Sequence, residues 1–419
     1  MRVCVMFLAA LIASGATLSL LPAADPVTGL SELSWKKTTI DTAFRSEGVT
    51  VADVNKDGKP DIINGECWYE APTWKRHEIL PSKDYTQGKN NVYSNSFACW
   101  AEDLNGDGYP DLIVINFPGA PCHWFENPQG KEGHWKKHEI WHSACNETPQ
   151  YLDLLGTGKK VLLMGWQPKT SKGNQGQMAY FTPDPTSPAK PWIMNPISEE
   201  SKPGKEIPGT QRFSHGLGAG DLNGDGRLDV ISTGGWWEQP EKPDGKTPWK
   251  FHPLSGIEAS ADMYAYDVNG DGKADILCTS AHKFGIWAFE QRASKQGVSP
   301  TFIKQDLFPQ LVSETHAVVM ADINGDGQLD FVTGKRWWSH GRAEPGADWP
   351  AMIYWFEANR IKDGPRKGQV TFTPRAIDTD SGIGTQFAVV DVNGDGLLDV
   401  VTSNKRGTYL FEQVRKTKK

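Results

Sequence analysis

Asp53 to Asp61 reads DVNKDGKPD, and the same nine-residue frame returns five more times: DLNGDGYPD from Asp103, DLNGDGRLD from Asp221, DVNGDGKAD from Asp267, DINGDGQLD from Asp322 and DVNGDGLLD from Asp391. Asp holds places one, five and nine, Asn place three and Gly place six. A seventh, decayed copy starts at Asp153 (DLLGTGKKV), with Leu155, Thr157 and Val161 at places three, five and nine. The first Asp residues are 50, 50, 68, 46, 55 and 69 residues apart. A fixed internal period is the signature of a repeat architecture, and this one leaves room for four short strands per unit.

The flanks repeat with the loop. An apolar, small-residue run precedes each copy (GVTVADV, ACWAEDL, LGAGDL, YAYDV, VVMADI, AVVDV), and a short β-branched run follows it (DIING, DLIVIN, DVISTG, DILCTS, DFVTGK, DVVTSN). An aromatic strand ending near Glu comes next (CWYE, HWFE, WWEQ, IWAFE, IYWFE, TYLFE), then an alternating one (WKRHEI, WKKHEI, WKFHPL, FIKQDL, FTPRAI). Four strands per unit, repeated radially, describe an all-β propeller. One strand of the fourth type, Trp35 to Ile40, stands before the first loop, whereas the last unit stops after its third strand at TYLFEQ. The N-terminal strand is therefore expected to complete the last blade and remove two open edges. The expectation is seven four-stranded blades in a single domain over residues 25–419.

The loop frame sets oxygen ligands at alternate positions of a tight turn, with Gly allowing the turn, as in the first half of an EF-hand loop. Three carboxylates within nine residues repel one another without a cation; the plainer alternative is an Asx-rich turn. The EF-hand's distant bidentate Glu is missing, and the ninth-place Asp closes the loop instead. The predicted ligands are Asp53, Asn55, Asp57 and Asp61; Asp103, Asn105, Asp107 and Asp111; Asp221, Asn223, Asp225 and Asp229; Asp267, Asn269, Asp271 and Asp275; Asp322, Asn324, Asp326 and Asp330; and Asp391, Asn393, Asp395 and Asp399. The seventh-place backbone carbonyl joins them. About six structural Ca2+ sites follow, with affinity in the roughly 10⁻⁴ to 10⁻³ M range of extracellular modules, and none in the third unit. These six strings resemble the FG-GAP or VCBS repeat of integrin alpha N-terminal-like propellers, over essentially the whole chain after the leader. That resemblance implies a calcium-bound loop between the first and second strands of each blade.

The 419 residues are 38% hydrophobic and 23% charged, with 43 Gly, 28 Pro and 17 Trp, which excludes disordered, collagen-like and coiled-coil classes. Arg2, an apolar run from Val3 to about Leu21 and small residues up to Ala24 predict a cleaved signal peptide over residues 1–24. The product is then secreted or periplasmic, without stable membrane insertion. Of 51 acidic residues 18 are loop Asp, leaving 33 against 43 Lys and Arg beyond the leader, so the rest of the surface is net basic. After Cys4 departs, Cys67, Cys99, Cys122, Cys145 and Cys278 remain. Their spacing fits no zinc ribbon, and they read as small buried hydrophobes, with one or two bridges open to them in an oxidising compartment.

A second constellation comes from the repeat register. Six residues before each first Asp stand Glu47, Phe97, Glu147, His215, Ala261, His316 and Thr385; five before lie Asp262 and Gln386 in units five and seven. Strand alternation sends these positions to the face opposite the calcium loops, near the channel mouth. The framing loops carry His282 and Lys283, then Lys335, Arg336, Trp337, Trp338 and His340, then Lys405 and Arg406; Trp236 and Trp237 hold comparable places. Imidazoles and carboxylates in one ring suit either a transition metal at the channel mouth or acid–base work, Lys and Arg suit an anionic group, and Trp faces suit sugar rings. The candidate catalytic residues are His215, His316, His282, Lys335 and Arg336. The candidate ligand-binding residues are Glu47, Glu147, Asp262, Gln386, Trp236, Trp337 and His340. The competing structural reading has His lining the channel as satisfied polar groups and most Trp filling blade cores. The segment VTGKRWWSHG, with His316 and the WWEQP and YWFE strings, resembles the propeller part of aldos-2-ulose dehydratase-type enzymes. That resemblance implies His215, His316 or His282 as base or metal ligand, and Lys335 with Arg336 on substrate oxygens.

No GxSxG elbow, Walker loop, HExxH or strand-turn-helix dinucleotide fingerprint is present, and no nucleic-acid motif. Asn146-Glu147-Thr148 fits the glycosylation sequon. Two functions are expected from the whole: a secreted, calcium-stabilised propeller binding a carbohydrate or an extracellular protein on its loop face, or a carbon–oxygen lyase performing elimination on an oxidised or acidic sugar at the channel mouth.

Overall fold

A computed structural model describes residues 32–85, 92–171, 173–292 and 300–416; the leader expected over residues 1–24 lies outside them. The described residues form 28 strands and no helix. After β1 (Glu32–Asp41), the first unit gives β2 (Thr50–Ala52), β3 (Asp61–Ile63), β4 (Cys67–Glu70) and β5 (Lys75–Glu78). The second gives β6 (Ala98–Glu102), β7 (Asp111–Ile115), β8 (Cys122–Glu126) and β9 (Lys136–Trp141), and the third β10 (Gln150–Leu152), β11 (Val161–Trp166), β12 (Gln177–Thr182) and β13 (Ile193–Pro196). Next come β14 (Leu217–Gly220), β15 (Asp229–Ser232), β16 (Gly235–Glu238) and β17 (Lys250–Pro253), then β18 (Asp262–Tyr266), β19 (Asp275–Thr279), β20 (Ile286–Arg292) and β21 (Thr301–Asp306). The sixth unit gives β22 (Val318–Ala321), β23 (Asp330–Gly334), β24 (Ile353–Arg360) and β25 (Val370–Asp378), and the last β26 (Ala388–Val390), β27 (Asp399–Asn404) and β28 (Gly407–Lys416).

Each unit is an antiparallel meander, and first strands face one another around the axis: β2 lies against β6 and β26, and β22 against β18 and β26. Hydrophobic cores form between neighbouring sheets, as where Ala98, Ile113 and Trp124 meet Leu162, Met164 and Phe181. The ring closes as the strand count requires: β1 pairs with β28 from Glu32↔Lys416 to Asp41↔Thr408, in the sheet order β1-β28-β27-β26. Seven separate blades, however, are not what the sheets give. Five four-stranded sheets stand alone, and the other eight strands form one sheet, because β14 and β18 pair in parallel. The cause is the LGAG strand: a Cβ on Gly218 would sit 1.7 Å from Met263 O, and one on Gly220 2.3 Å from Ala265 Cβ. Only glycine lets the two backbones come close enough to bond.

The loops share one geometry. In the first, Asp53 accepts from Asp57 N and Gly58 N at 3.0 Å each, Asn55 Oδ1 accepts from Asp57 N at 3.0 Å, and Asp57 Oδ1 from Lys59 N at 2.9 Å. Place six is left-handed, as in Gly58 at φ 87°. Oxygens of places one, three and five thus gather on an exposed turn, which fits a hard cation. The ninth Asp, also expected as a ligand, has a structural part as well. Asp229 is fully buried, and its two oxygens accept from Leu222 N and from Gln239 N, 3.0 Å each, latching the loop to the end of the third strand. Asp61, Asp111, Asp275, Asp330 and Asp399 repeat this latch. The third unit has Val161 at this place, and its register puts Pro183, which has no N–H, where the latch donor would be. Acceptor and donor are therefore missing together.

Repeated aromatic strings form blade cores. Trp68, Trp124 and Trp236 stack on His77, His138 and His252 with ring centroids 4.2, 4.3 and 4.0 Å apart, and each His Nε2 meets a Glu at 2.7 to 2.9 Å. Trp236, expected on a ligand surface, is 1% exposed and belongs to this core. Cys67, Cys99, Cys122, Cys145 and Cys278 are free and buried, so no disulfide forms among the described residues.

Candidate metal centre at the channel mouth

Antiparallel alternation puts the segments that enter first strands, and the turns from second to third strands, on the face opposite the aspartate loops. Glu47, Glu147, His215 and His316 enter β2, β10, β14 and β22; His282, Lys335 with Arg336, and Lys405 follow β19, β23 and β27. The folded ring brings four imidazoles together. His215 lies 4.5 Å from His282 and 5.5 Å from His316, centroid to centroid, and His340 stacks on His282 at 4.6 Å. Candidate ligand atoms of Glu147, His215 and His316 all lie within 4.8 Å of one another, and so do those of His215, His282 and His340.

Both deep histidines are held the same way. His215 Nδ1 bonds Phe213 O at 2.9 Å and His316 Nδ1 bonds Glu314 O at 3.2 Å, each to the carbonyl two residues back. Phe213 and Glu314 are left-handed, at φ 62° and 58°, a conformation unusual for side-chain-bearing residues that aims each carbonyl at its ring. With Nδ1 fixed, Nε2 is presented inward, the arrangement that backbone carbonyls give metal-ligating imidazoles. Among the described residues, His316 Nε2 is buried without a hydrogen-bond partner, and buried His215 Nε2 has only a 3.5 Å contact to Glu147 Oε2. Burial, then Arg336, pushes His316 well below the usual imidazole range, and the same causes bring His340 down to about 4. Both rings are therefore neutral at pH 7, the ligating form. Burial alone would raise Glu147, but His215 and Arg336 outweigh it and hold its carboxyl at about 2. Ligands of a tetrahedral ion with bonds of about 2.0–2.1 Å sit roughly 3.4 Å apart, so atoms now within 4.8 Å of one another would have to draw closer around an ion.

The cations differ from expectation. Arg336, 1% exposed, bonds Glu47 through Nε at 3.0 Å and through a second guanidinium nitrogen, and Glu147 at 3.1 Å. Lys335, also 1% exposed, is held by Glu314 Oε1 at 3.0 Å, Ser313 Oγ and Gly346 O. Neither presents a bare charge to substrate oxygens; both are buried braces that fix the carboxylates and loops of the site. Glu47 Oε2 stays buried beside Arg336, unpartnered among the described residues. Asp262 and Gln386 do not join the cluster: Asp262 accepts from Gln150 Nε2 and Val318 N, and Gln386 Oε1 from Val49 N and Cys99 N, tying inner strands together. Trp337 stacks on Trp338 at 4.0 Å under the Arg406 guanidinium. The sequon residue Asn146 is 1% exposed and bonds Gly209 O, so it is part of the wall.

Two site residues, Glu344 and Glu314, were missed, and the place of a third, Lys405, was underrated. Glu344 bridges the outer rim, 3.0 Å from His282 Nδ1 and 3.3 Å from His340 Nδ1; its spacing four residues after His340 was the available signal. Glu314, two residues before His316, carried no repeat signature. Lys405 Nζ, noted only as framing, donates to Trp338 O at 2.6 Å and lies 4.6 Å over Tyr93, with no carboxylate partner among the described residues; burial and Arg336 bring it down to about 8.

With fold and site in view, comparison places two stretches in known repeat families: residues 267–333 match the FG-GAP-like repeat and residues 383–414 the FG-GAP repeat. The chain carries FG-GAP repeats on a β-propeller. No curated protein matches it. Similar solved structures include an Agrocybe aegerita lectin that recognises non-reducing terminal N-acetylglucosamine, at 15% identity, 92% of this chain, 90% of that one and TM-score 0.43. A Bacillus licheniformis rhamnogalacturonan lyase gives 13%, 90%, 75% and 0.41, and BBS1N in complex with ARL6DN 9%, 92%, 98% and 0.44. At such low similarity these neighbours carry no argument about function.

Proposed function

We propose that this is an exported propeller of seven four-stranded units, counting the eight-stranded sheet as two, which binds a carbohydrate at a metal centre in its channel mouth. Ca2+ in six aspartate loops stabilises the opposite face by neutralising clustered carboxylates. Glu147, His215 and His316 hold a divalent transition metal, with His282 and His340 at the solvent side. When bound, that metal supplies a Lewis-acidic position for sugar oxygens. The observation that carries the reading is the pair of buried Nε2 atoms, each aimed by an Nδ1–carbonyl bond, beside the Glu147 carboxylate. Elemental analysis of purified protein before and after EDTA, with zinc titration calorimetry of the stripped protein, tests it. Wild type should take up one transition metal beyond calcium, and His215→Ala and His316→Ala should weaken zinc at least about 100-fold. Equal zinc binding by all three overturns the reading.

Lys405 favours elimination as a second reading. A half-buried amine titrating near 8 can accept the proton from a carbon next to a sugar carbonyl or carboxylate. The C–H electron pair then forms the alkene, and the β-oxygen leaves with its electrons and takes up a proton. Absorbance of unsaturated products, lost in Lys405→Met with zinc binding intact, is the expected result; its absence across acidic and keto sugars removes this reading.

A further inference from the structure

A cavity of about 180 Å³ opens beside His215, lined by Gln211, Phe213, Ser214, His215 and Thr233 among others. That is smaller than the roughly 300–1,000 Å³ of drug-sized pockets, and limits an occupant to about one ring. Phe213 stands at its edge 42% exposed, with its backbone fixed by the bond that aims His215. Gln211 Oε1 is buried there without a partner among the described residues, an acceptor open to a hydroxyl. Arg212, between Gln211 and Phe213 in the chain, stands outside the lining itself and touches it only through the Phe213 ring. Its Nε is pinned to Pro118 O at 2.7 Å, and its guanidinium lies 4.6 Å over Phe213 and 5.7 Å from the Phe117 ring centre. Lys283, Lys335, Arg336 and Arg406 around this mouth all pair with carboxylates. Arg212 is exposed and has no carboxylate partner among the described residues. A planar fork held in place on aromatic rings and left without an anion matches a carboxylate bidentately.

We propose that this cavity and its Phe213 rim form a subsite for one uronic acid ring: an apolar ring face against Phe213, a hydroxyl to Gln211, ring oxygens toward the His215 metal position, and the sugar carboxylate reaching past the edge of Phe213 to Arg212 just outside the lining. This deepens the carbohydrate reading above and rests on it. The probes are the methyl glycosides of galacturonate, glucuronate and mannuronate with their neutral hexose counterparts, titrated into zinc-loaded protein by calorimetry and saturation-transfer NMR. At least one uronide should bind 10-fold or more tightly than its neutral partner. Arg212→Gln, a surface change expected to leave the melting temperature unaltered, should erase that preference without altering zinc affinity, and Arg212→Lys should restore only part of it. Uronide and neutral sugar binding equally, neither binding, or a preference that survives Arg212→Gln, overturns the subsite even where zinc binds normally. Arg212-dependent uronide binding without any zinc uptake supports the subsite and removes the metal centre.

Discussion

Replacing Asp229 by Val in the fourth unit copies what the third unit carries at Val161. Leu222 N and Gln239 N each lose an acceptor at 3.0 Å, and Asp229 is fully buried, so water cannot substitute without opening the sheet. An orphaned buried donor costs about 1–3 kcal/mol, so the change should cost about 2–6 kcal/mol. Gln239→Pro removes one of those donors, together with the side-chain bonds from Gln239 to Leu154 O and Leu228 O. Since the third unit pairs Val161 with Pro183, the two changes should couple: the double variant should lose about 1–3 kcal/mol less than the sum of the singles. Urea unfolding followed by Trp fluorescence, in millimolar calcium and in EDTA, measures the cycle. The latch consists of bonds to backbone, so the Asp229→Val loss should persist in EDTA. A loss below about 1 kcal/mol in EDTA with a large one in calcium would make the ninth Asp a cation ligand first, and strict additivity would refute the pairing.

Lys335→Met leaves Glu314 as an uncompensated buried carboxylate and should cost about 3–5 kcal/mol, with Glu314→Gln added to it recovering part; thermal unfolding of both variants checks this. Trp236→Ala should cost about 3–5 kcal/mol as a core cavity while zinc stoichiometry stays unchanged, whereas loss of sugar binding at unaltered stability would make it a surface platform. Lys405 should titrate near 8 by NMR of reductively methylated lysines. Its folded value is depressed, so the charged amine opposes folding below about pH 8 and that penalty fades as pH rises toward the unfolded value near 10.4. Lys405→Met should therefore stabilise more at pH 6 than at pH 10, and titration above 10 would contradict the burial argument.

The meander and its closure were legible because the nine-residue frame fixes strand phase: once Asp53 and its counterparts mark where second strands begin, the rest follows by period. The fusion of β14 with β18 was not, since LGAG reads as an ordinary small-residue strand until its backbone neighbour is known. In the site, register alone gathered Glu47, Glu147, His215 and His316. It failed for Asp262 and Gln386, one place along, because the pleat turns adjacent residues to opposite sides. Lys335 and Arg336 read as exposed cations because their partners, Glu314 and the Glu47–Glu147 pair, lie 21 and more than 180 residues away. Trp236 could have been placed in the core from the recurring Trp and His of neighbouring strands, which stack wherever both occur.

The seam between β1 and β28 joins residues about 380 positions apart. Nearly all other pairing is between neighbours in the chain, so local meanders can form as they emerge, whereas this contact must await the final strand and bear the loop-closure entropy of the entire ring. Joining residue 416 to residue 32 by a short linker would turn that latest event into a hairpin. Opening the joined chain between Gly156 and Lys159, in the unlatched third loop, would then give a permuted molecule with the same hydrogen bonds and a different order of assembly, so that refolding rates of the original and permuted forms would separate the time taken by closure from the time taken by blade formation.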